Sequence, residues 1–248
     1  MKVHSNSIKI FLLPIYYLIH YNFFFGIIHK YFFKDFKYRN FMFKLKIQDI
    51  PVATRSSFLF KTYEYNDRKL VESYIDKKNK CVVIGGGIGF IPTLAYHKSN
   101  NKVLVFEINK KITDNLKYNL ELNRCEYNIY DKNLTINEEE KFSDFFLSQN
   151  FLLSSKYLKT SETTKIENIN YSDVKDIESF NTLIIDGEGI EEYFIYRISN
   201  LKKIKYLLFE LHHNIFDKEK IQSMFEELKI NNFKLVGKCF NSYYFKKD

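Results

Sequence analysis

Four of the chain's eight glycines fall within five positions, Gly85, Gly86, Gly87 and Gly89, directly after the apolar run Cys81–Ile84. Ordinary usage would give a chain of this length roughly 17 glycines. Two more, Gly187 and Gly189, sit in Asp186-Gly187-Glu188-Gly189, directly after a second apolar run, Thr182–Ile185. Glycine is needed where a backbone turns with positive φ, or where a group approaches more closely than a Cβ allows. A chain that spends its scarce glycine at two strand ends is building one site there.

The pattern around these turns is a repeated strand-then-helix unit. Cys81–Ile84 reads as a strand and 90–97 as a helix, with Pro92 tolerated in its first turn. Val103–Phe106 is a strand ending at Glu107, and Ile112, Leu116 and Leu120 mark the next helix. Thr182–Ile185 ends at Asp186, and a helix follows over 193–198. A strand over 206–209 ends at Glu210, and Asp217 starts a helix carrying Ile221, Met224, Phe225 and Leu228. Strands over 233–236 and 243–245 close the chain with no helix between them, which predicts one antiparallel edge. Upstream, alternation over 41–47 predicts a half-buried strand, and an Asn or Asp cap at Asn66 opens a helix presenting Leu70, Val71, Tyr74 and Ile75. The stretch 126–172 is less regular, with strands near 126–130 and 142–147 and a polar loop at 160–166. The expected fold is α/β: a Rossmann-like, doubly wound sheet of seven strands, the last one antiparallel.

Charge is unevenly placed. Residues 1–50 hold eight basic side chains against Asp35 and Asp49, so +6 of the net +8 sits in this head and about +2 on the remaining 198 residues. Nucleic acid is therefore not the expected partner, because the rest of the chain is nearly neutral. The head is also apolar: residues 10–28 read IFLLPIYYLIHYNFFFGII, interrupted by Pro14, His20 and Asn22. Three arrangements fit, namely a helix lying on a membrane surface, a true span, and a helix packed on the domain or at a dimer contact. The expected organisation is an apolar and basic helical extension over 1–40 and one α/β domain over 41–248. The expected place is the cytoplasm, peripheral to or anchored in the inner face of the membrane. Three scattered cysteines without a CxxC suit a reducing compartment and point to neither a disulfide framework nor a zinc site.

Gly85 to Gly89 at the end of the first core strand lets backbone amides and a helix N-terminus meet a ligand. Glu107, 18 residues after Gly89 at the end of the next strand, is placed to accept hydrogen bonds from both ribose hydroxyls of a nucleoside. The dinucleotide fingerprint G-x-G-x-x-G needs a third glycine where this chain has Phe90. A G-x-G-x-G loop suits S-adenosylmethionine (SAM) better.

The runs VVIGGGIGF, VFEIN followed by Asn119 and Asn123, LIIDGEGIEE and LLFELHH, together with Tyr63-Glu64, resemble the FkbM-type SAM-dependent methyltransferases over about residues 55–248. The resemblance implies a class I methyltransferase fold, SAM as methyl donor, and O-methylation of a hydroxyl on a sugar, a glycolipid or another secondary product. The element with Asp186, Glu188, Gly189 and Glu191 is its most specific part. Two residues depart from the family pattern: Val83 where an acidic residue is common, and Gly187 where a larger apolar residue is usual.

Gly85, Gly86, Gly87, Gly89, Glu107, Ile108, Glu64 and Asp186 form the expected cofactor set, with Glu64 on the SAM ammonium. Asp186, Glu188 and His212 form the expected catalytic set, to contact, orient or deprotonate the acceptor. His213, Ser154 and Ser155 are secondary candidates, and Tyr63 reads as packing. No metal-ligand spacing is visible, and a metal-independent reaction is the expectation. The rival readings are an NAD-dependent oxidoreductase and a non-catalytic membrane-surface protein that keeps the fold. The acceptor's identity and the oligomeric state are not encoded in any spacing.

Overall fold

The computed structural model of the chain describes residues 22–33, 35–46, 50–137, 139–147, 154–155, 163–187, 189–212 and 215–248. It opens with α1 (Phe23–Ile28), capped by the Asn22 side chain, and a π-helical turn (His29–Phe33). A hairpin of β1 (Phe36–Tyr38) and β2 (Phe41–Phe43) follows, then α2 (Val52–Leu59) and α3 (Tyr65–Tyr74). The β/α alternation then runs β3 (Cys81–Ile84), α4 (Phe90–Ser99), β4 (Val103–Phe106), α5 (Lys110–Leu122) and β5 (Tyr127–Tyr130). The middle holds β6 (Asn133–Thr135), β7 (Phe142–Leu147), β8 (Ser154–Ser155) and β9 (Thr163–Asn170). The last part is β10 (Thr182–Ile185), α6 (Glu191–Ile195), β11 (Tyr206–Glu210), α7 (Lys218–Ile230), β12 (Phe233–Cys239) and β13 (Ser242–Lys247).

Seven strands form the central sheet in the order β12-β13-β11-β10-β3-β4-β5. Strands β11, β10, β3, β4 and β5 pair in parallel, and β13 runs antiparallel to both of its neighbours. The fold is therefore the Rossmann-like doubly wound sheet expected from the pattern. One detail differs: the reversed strand is not at the edge, because β13 inserts between β11 and β12. Successive residues of the central strands enter opposite cores. Val82, Ile84, Leu104, Phe106, Leu183 and Ile185 face α6, α7 and the middle segment, whereas Cys81, Val83, Val105 and Ile184 face α3, α4 and α5. Both faces are covered, which is why these strands are unbroken apolar runs.

Strand order reverses between β3 and β10, so the ends of those two strands open a cleft. A second sheet, β6-β9-β7-β8, rises beside it. Of the polar loop expected at 160–166, residues 163–166 instead belong to β9 and pair with β7, with Ile166 buried, while 160–162 lie outside the described residues. Other boundaries move as well. The helix expected from Asn66 starts at Tyr65 behind Glu64, and the helix expected over 193–198 is α6 followed by a separate 3-10 turn, Ile198–Asn200.

The strand expected over 41–47 stops at Phe43, and 47–49 lie outside the described residues. Beyond it the backbone pairs with side-chain amides rather than with a strand. Asn123 Oδ1 accepts from Met42 N (3.1 Å), Asn119 Oδ1 from Lys44 N (2.8 Å) and Asn115 Oδ1 from Lys46 N (2.8 Å). Asn119 and Asn123 also donate to the carbonyls of Lys44 and Met42. Residues four apart on a helix rise about 6 Å, close to the roughly 6.6 Å of two extended residues, so α5 can act as a strand edge. Asn119 is fully buried and makes a third bond, to Ile88 O (2.8 Å). Asn119→Leu strands these buried backbone groups, and a loss of about 3 kcal/mol is expected in urea unfolding. A loss below about 1 kcal/mol would show that the pairing is incidental.

Of the apolar run at 10–28, residues 10–21 lie outside the described residues. Among the described residues no helix is long and apolar enough to cross a membrane. The end of the run, α1, packs against α2, while Phe23, Phe24, Tyr31, Phe32 and Phe33 stay exposed.

Candidate functional site

Gly85 leaves β3 with φ +87°, and a Cβ there would stand 2.0 Å from the Asp186 carbonyl oxygen. Hydrogen bonds tie the neighbouring strand ends: Asp186 N donates to Ile84 O (2.9 Å), joining β10 to β3, and Gly85 N donates to Phe106 O (2.9 Å), joining β3 to β4. Gly87, also at positive φ, meets nothing closer than Glu64 Oε1 at 3.4 Å and Tyr63 OH at 3.5 Å, so the turn is open toward the cleft. Gly85, Gly87, Glu64, Glu107, Ile108 and Asp186 all line this one cleft. Gly86 lies beneath it against Leu116 and Val105, and Gly89 is the left-handed entry to α4.

Glu107 points at the turn. Its Oε2 accepts from Gly86 N and Gly87 N (3.1 Å each), and its Oε1 from Asn109 N (2.8 Å). Burial raises its carboxyl, and these backbone donors oppose the rise. Glu107 therefore fixes the glycine loop through its own carboxylate. Glu191 does the same for the second glycine turn. Wholly buried, it accepts from Gly187 N (3.0 Å) and Gly189 N (2.8 Å). Burial pushes its carboxyl up to about 7, with His212 opposing the rise. The departures from the family pattern have local causes. Val83 is buried in the sheet and does not face the cleft, and a Cβ on Gly187 would meet Ile190 Cγ2 at 2.3 Å.

Glu64 sits at φ 45°, ψ 40°, a left-handed conformation that costs a non-glycine residue of order 1 kcal/mol or more. Burial, and next to it the Asp186 charge, push its carboxyl up to about 8. Asp67, one turn along α3, is fully buried beside the Ser242 hydroxyl. Burial and then Glu210 and Asp186 hold its carboxyl well above the usual range. His212 lies just past β11, with Nε2 3.8 Å from Asp186 Oδ1 and Nδ1 3.9 Å from Glu191 Oε1. Glu210, at the end of β11, accepts from Asn241.

The structure thus brings together Glu64, Asp186, Glu107, Ile108 and His212 from the expected sets. Glu188 and His213 lie outside the described residues. Ser154 and Ser155 form β8, paired with Phe146 and Leu147 at the outer edge of the second sheet. Tyr63 is in the aromatic core as expected, stacking obliquely on Phe58 at 4.7 Å. The sequence reading missed Asp67, Glu191 and Glu210 as members of the site. Asp67 carried a signal: it lies three and four residues before Leu70 and Val71, on the buried stripe of α3.

No family model and no curated protein matches the chain. Among solved structures it is similar to M. jannaschii TYW2 in complex with AdoMet (15% identity, 86% of each chain covered, TM-score 0.47). It is also similar to the ribosomal protein L11 methylase of Lactobacillus delbrueckii subsp. bulgaricus (12% identity, 73% of this chain and 77% of that one, TM-score 0.45). A third is the precorrin-6y C5,15-methyltransferase of Geobacter metallireducens (12% identity, 72% and 83%, TM-score 0.43). At such identities the chemistry of the cleft rests on its own residues.

Proposed function

We propose that the chain is a SAM-dependent methyltransferase of the FkbM type, acting on a hydroxyl of a saccharide, a glycolipid or another secondary product. The observation that carries the reading is the ring of carboxylates around an open glycine turn. Glu64, Glu107 and Asp186 line the cleft, with Asp67 and Glu210 close enough to raise Glu64 or one another. Such a ring attracts a ligand bearing a sulfonium and an ammonium, and it repels the pyrophosphate of a dinucleotide. The two loop amides available to cradle a phosphate, on Gly86 and Gly87, are already taken by Glu107.

The residues fit this donor. The open space over Gly87 admits the ligand, Glu107 Oε1 retains a lone pair for a ribose hydroxyl, Ile108 offers an apolar edge for the adenine, and Glu64 receives the ammonium. When bound, SAM supplies an electrophilic methyl carbon. The chain holds the acceptor oxygen in line with it, and the hydroxyl proton leaves toward the ends of β10 and β11, where Asp186 and His212 stand. The exposed aromatic residues of α1 and the turn after it, beside Lys30, support the reading that this end meets a membrane surface carrying the acceptor.

Calorimetry with S-adenosylhomocysteine (SAH) and NAD tests the assignment: SAH binds and NAD gives no heat, and the reverse result overturns it. A sharper signature comes from Glu64. Its carboxyl is protonated at pH 7 without ligand, and an ammonium beside it favours the ionised form. SAH titrations in buffers of different ionisation enthalpy should therefore show proton release at pH 6–7.5, absent in Glu64→Gln. No release from the wild-type protein would move the ammonium elsewhere.

A further inference from the structure

We propose that Asp186, Glu210 and His212 form a binding site for a divalent first-row cation of the Mn²⁺ or Zn²⁺ kind, on which the acceptor hydroxyl is bound and acidified. One donor atom from each of the three lies within 4.8 Å of the others, and no other such group occurs among the described residues. His212 Nε2 and Asp186 Oδ1, 3.8 Å apart, are too far for a hydrogen bond. They are well placed to flank a cation, because two donors each about 2.1 Å from a metal stand about 3–4.2 Å apart. The inference rests on the methyltransferase reading for its purpose, though not for the metal itself.

An acidic cluster alone would carry little. Here one ligand is an imidazole, a donor that suits a first-row cation. Asp67, 1% exposed, adds a further carboxyl group beside the Ser242 hydroxyl and within the field of Glu210 and Asp186. The other ring nitrogen of His212 faces the buried Glu191 at 3.9 Å, so a small turn of the ring onto a cation would bring the two within hydrogen-bond reach. An imidazole with two carboxylates selects Mn²⁺ or Zn²⁺ over Mg²⁺ or Ca²⁺.

The site also answers where the acceptor proton goes. With Nε2 of His212 and the Asp186 carboxylate on the cation, neither takes the proton itself; the acceptor O–H is weakened by coordination and its proton passes to water at the ends of β10 and β11. The oxygen then forms the new bond to the methyl carbon as the carbon–sulfur bond breaks, its electron pair staying on sulfur. No oxidant or further co-reactant is needed.

The test is Mn²⁺ titration of the chelator-treated full chain, followed by electron paramagnetic resonance, with SAH calorimetry on the same samples. One equivalent of Mn²⁺ should be bound, with nitrogen hyperfine coupling from one imidazole. His212→Ala should remove that coupling and weaken Mn²⁺ at least thirtyfold while SAH affinity stays within threefold, which also shows that the variant is folded. Glu210→Gln, as a second variant, should weaken Mn²⁺ at least tenfold. If SAH binds and Mn²⁺ does not, the metal site is wrong and the methyltransferase reading stands. Stoichiometric Mn²⁺ with the nitrogen signal but no SAH binding supports the metal site and overturns that reading. Equal Mn²⁺ binding by wild type and His212→Ala, without nitrogen coupling, means loosely held counterions and overturns the inference.

Discussion

Glu107→Gln should lower SAH affinity at least a hundredfold while leaving a folded protein. The carboxylate accepts three backbone hydrogen bonds, two from the glycine turn and one from Asn109. A glutamine has one acceptor oxygen and a donor amide, so part of its side chain must face N–H groups with its own N–H. Leaving one buried donor unpaired costs about 1–3 kcal/mol, and a lost charged contact to a ribose hydroxyl about as much again. Together these come to about 3 kcal/mol, or a hundredfold in dissociation constant. Calorimetry reads the affinity and circular dichroism the fold. A variant that binds SAH within threefold of wild type would remove Glu107 from the nucleoside site.

The second large effect is on stability. Gly85→Ala places a methyl group 2.0 Å from the Asp186 carbonyl oxygen, at a φ of +87°. That carbonyl cannot retreat without parting β10 from β3, whose register runs Thr182↔Cys81 to Ile185↔Ile84. The expected loss is about 4 kcal/mol or more, roughly 10 °C or more in Tm for a domain of this size. Gly87→Ala is the control. Its φ of +51° is one that other residues reach at a cost of about 1–2 kcal/mol, and its nearest neighbour is at 3.4 Å. Thermal melts of the pair should therefore separate by several degrees. Equal melting would mean that the close approach of the two strand ends is not what requires glycine at 85.

The pH dependence of stability follows from the same carboxylates. Glu64 and Glu191, held up to about 8 and about 7, carry protons in the folded chain at pH values where the unfolded chain has lost them. Their favourable contribution is complete below about pH 4.5 and is lost as pH rises through those values. In the ligand-free protein, stability should therefore fall between pH 5 and 8. Glu64→Gln should flatten the upper part of that fall.

Strands β3, β4 and β10 were legible to the residue because each is an unbroken apolar run closed by a glycine or an acid, with no solvent face to blur the pattern. The glycine turns stood out because the chain is otherwise poor in glycine. The carboxylate cluster was not legible as a unit, since Glu64, Asp67, Asp186 and Glu210 come from three separate β/α units and no spacing links them. Helix α2 was hidden for a different reason: Val52–Leu59 is weakly amphipathic, and Pro51 gives it no side-chain cap. The alternation over 41–47 was real, but it was answered by amides on α5 instead of by another strand.

The asparagine ladder ties two distant regions through a single side chain. Asn119 holds the backbone at Lys44 and, by its other hydrogen, the Ile88 carbonyl inside the glycine turn. Trimming the chain to begin after residue 46 would therefore not release an independent catalytic body. It would strip the partners from three amides on α5 and slacken the cradle from behind, so the amino-terminal segment is a buttress of the cleft as much as an appendage to it.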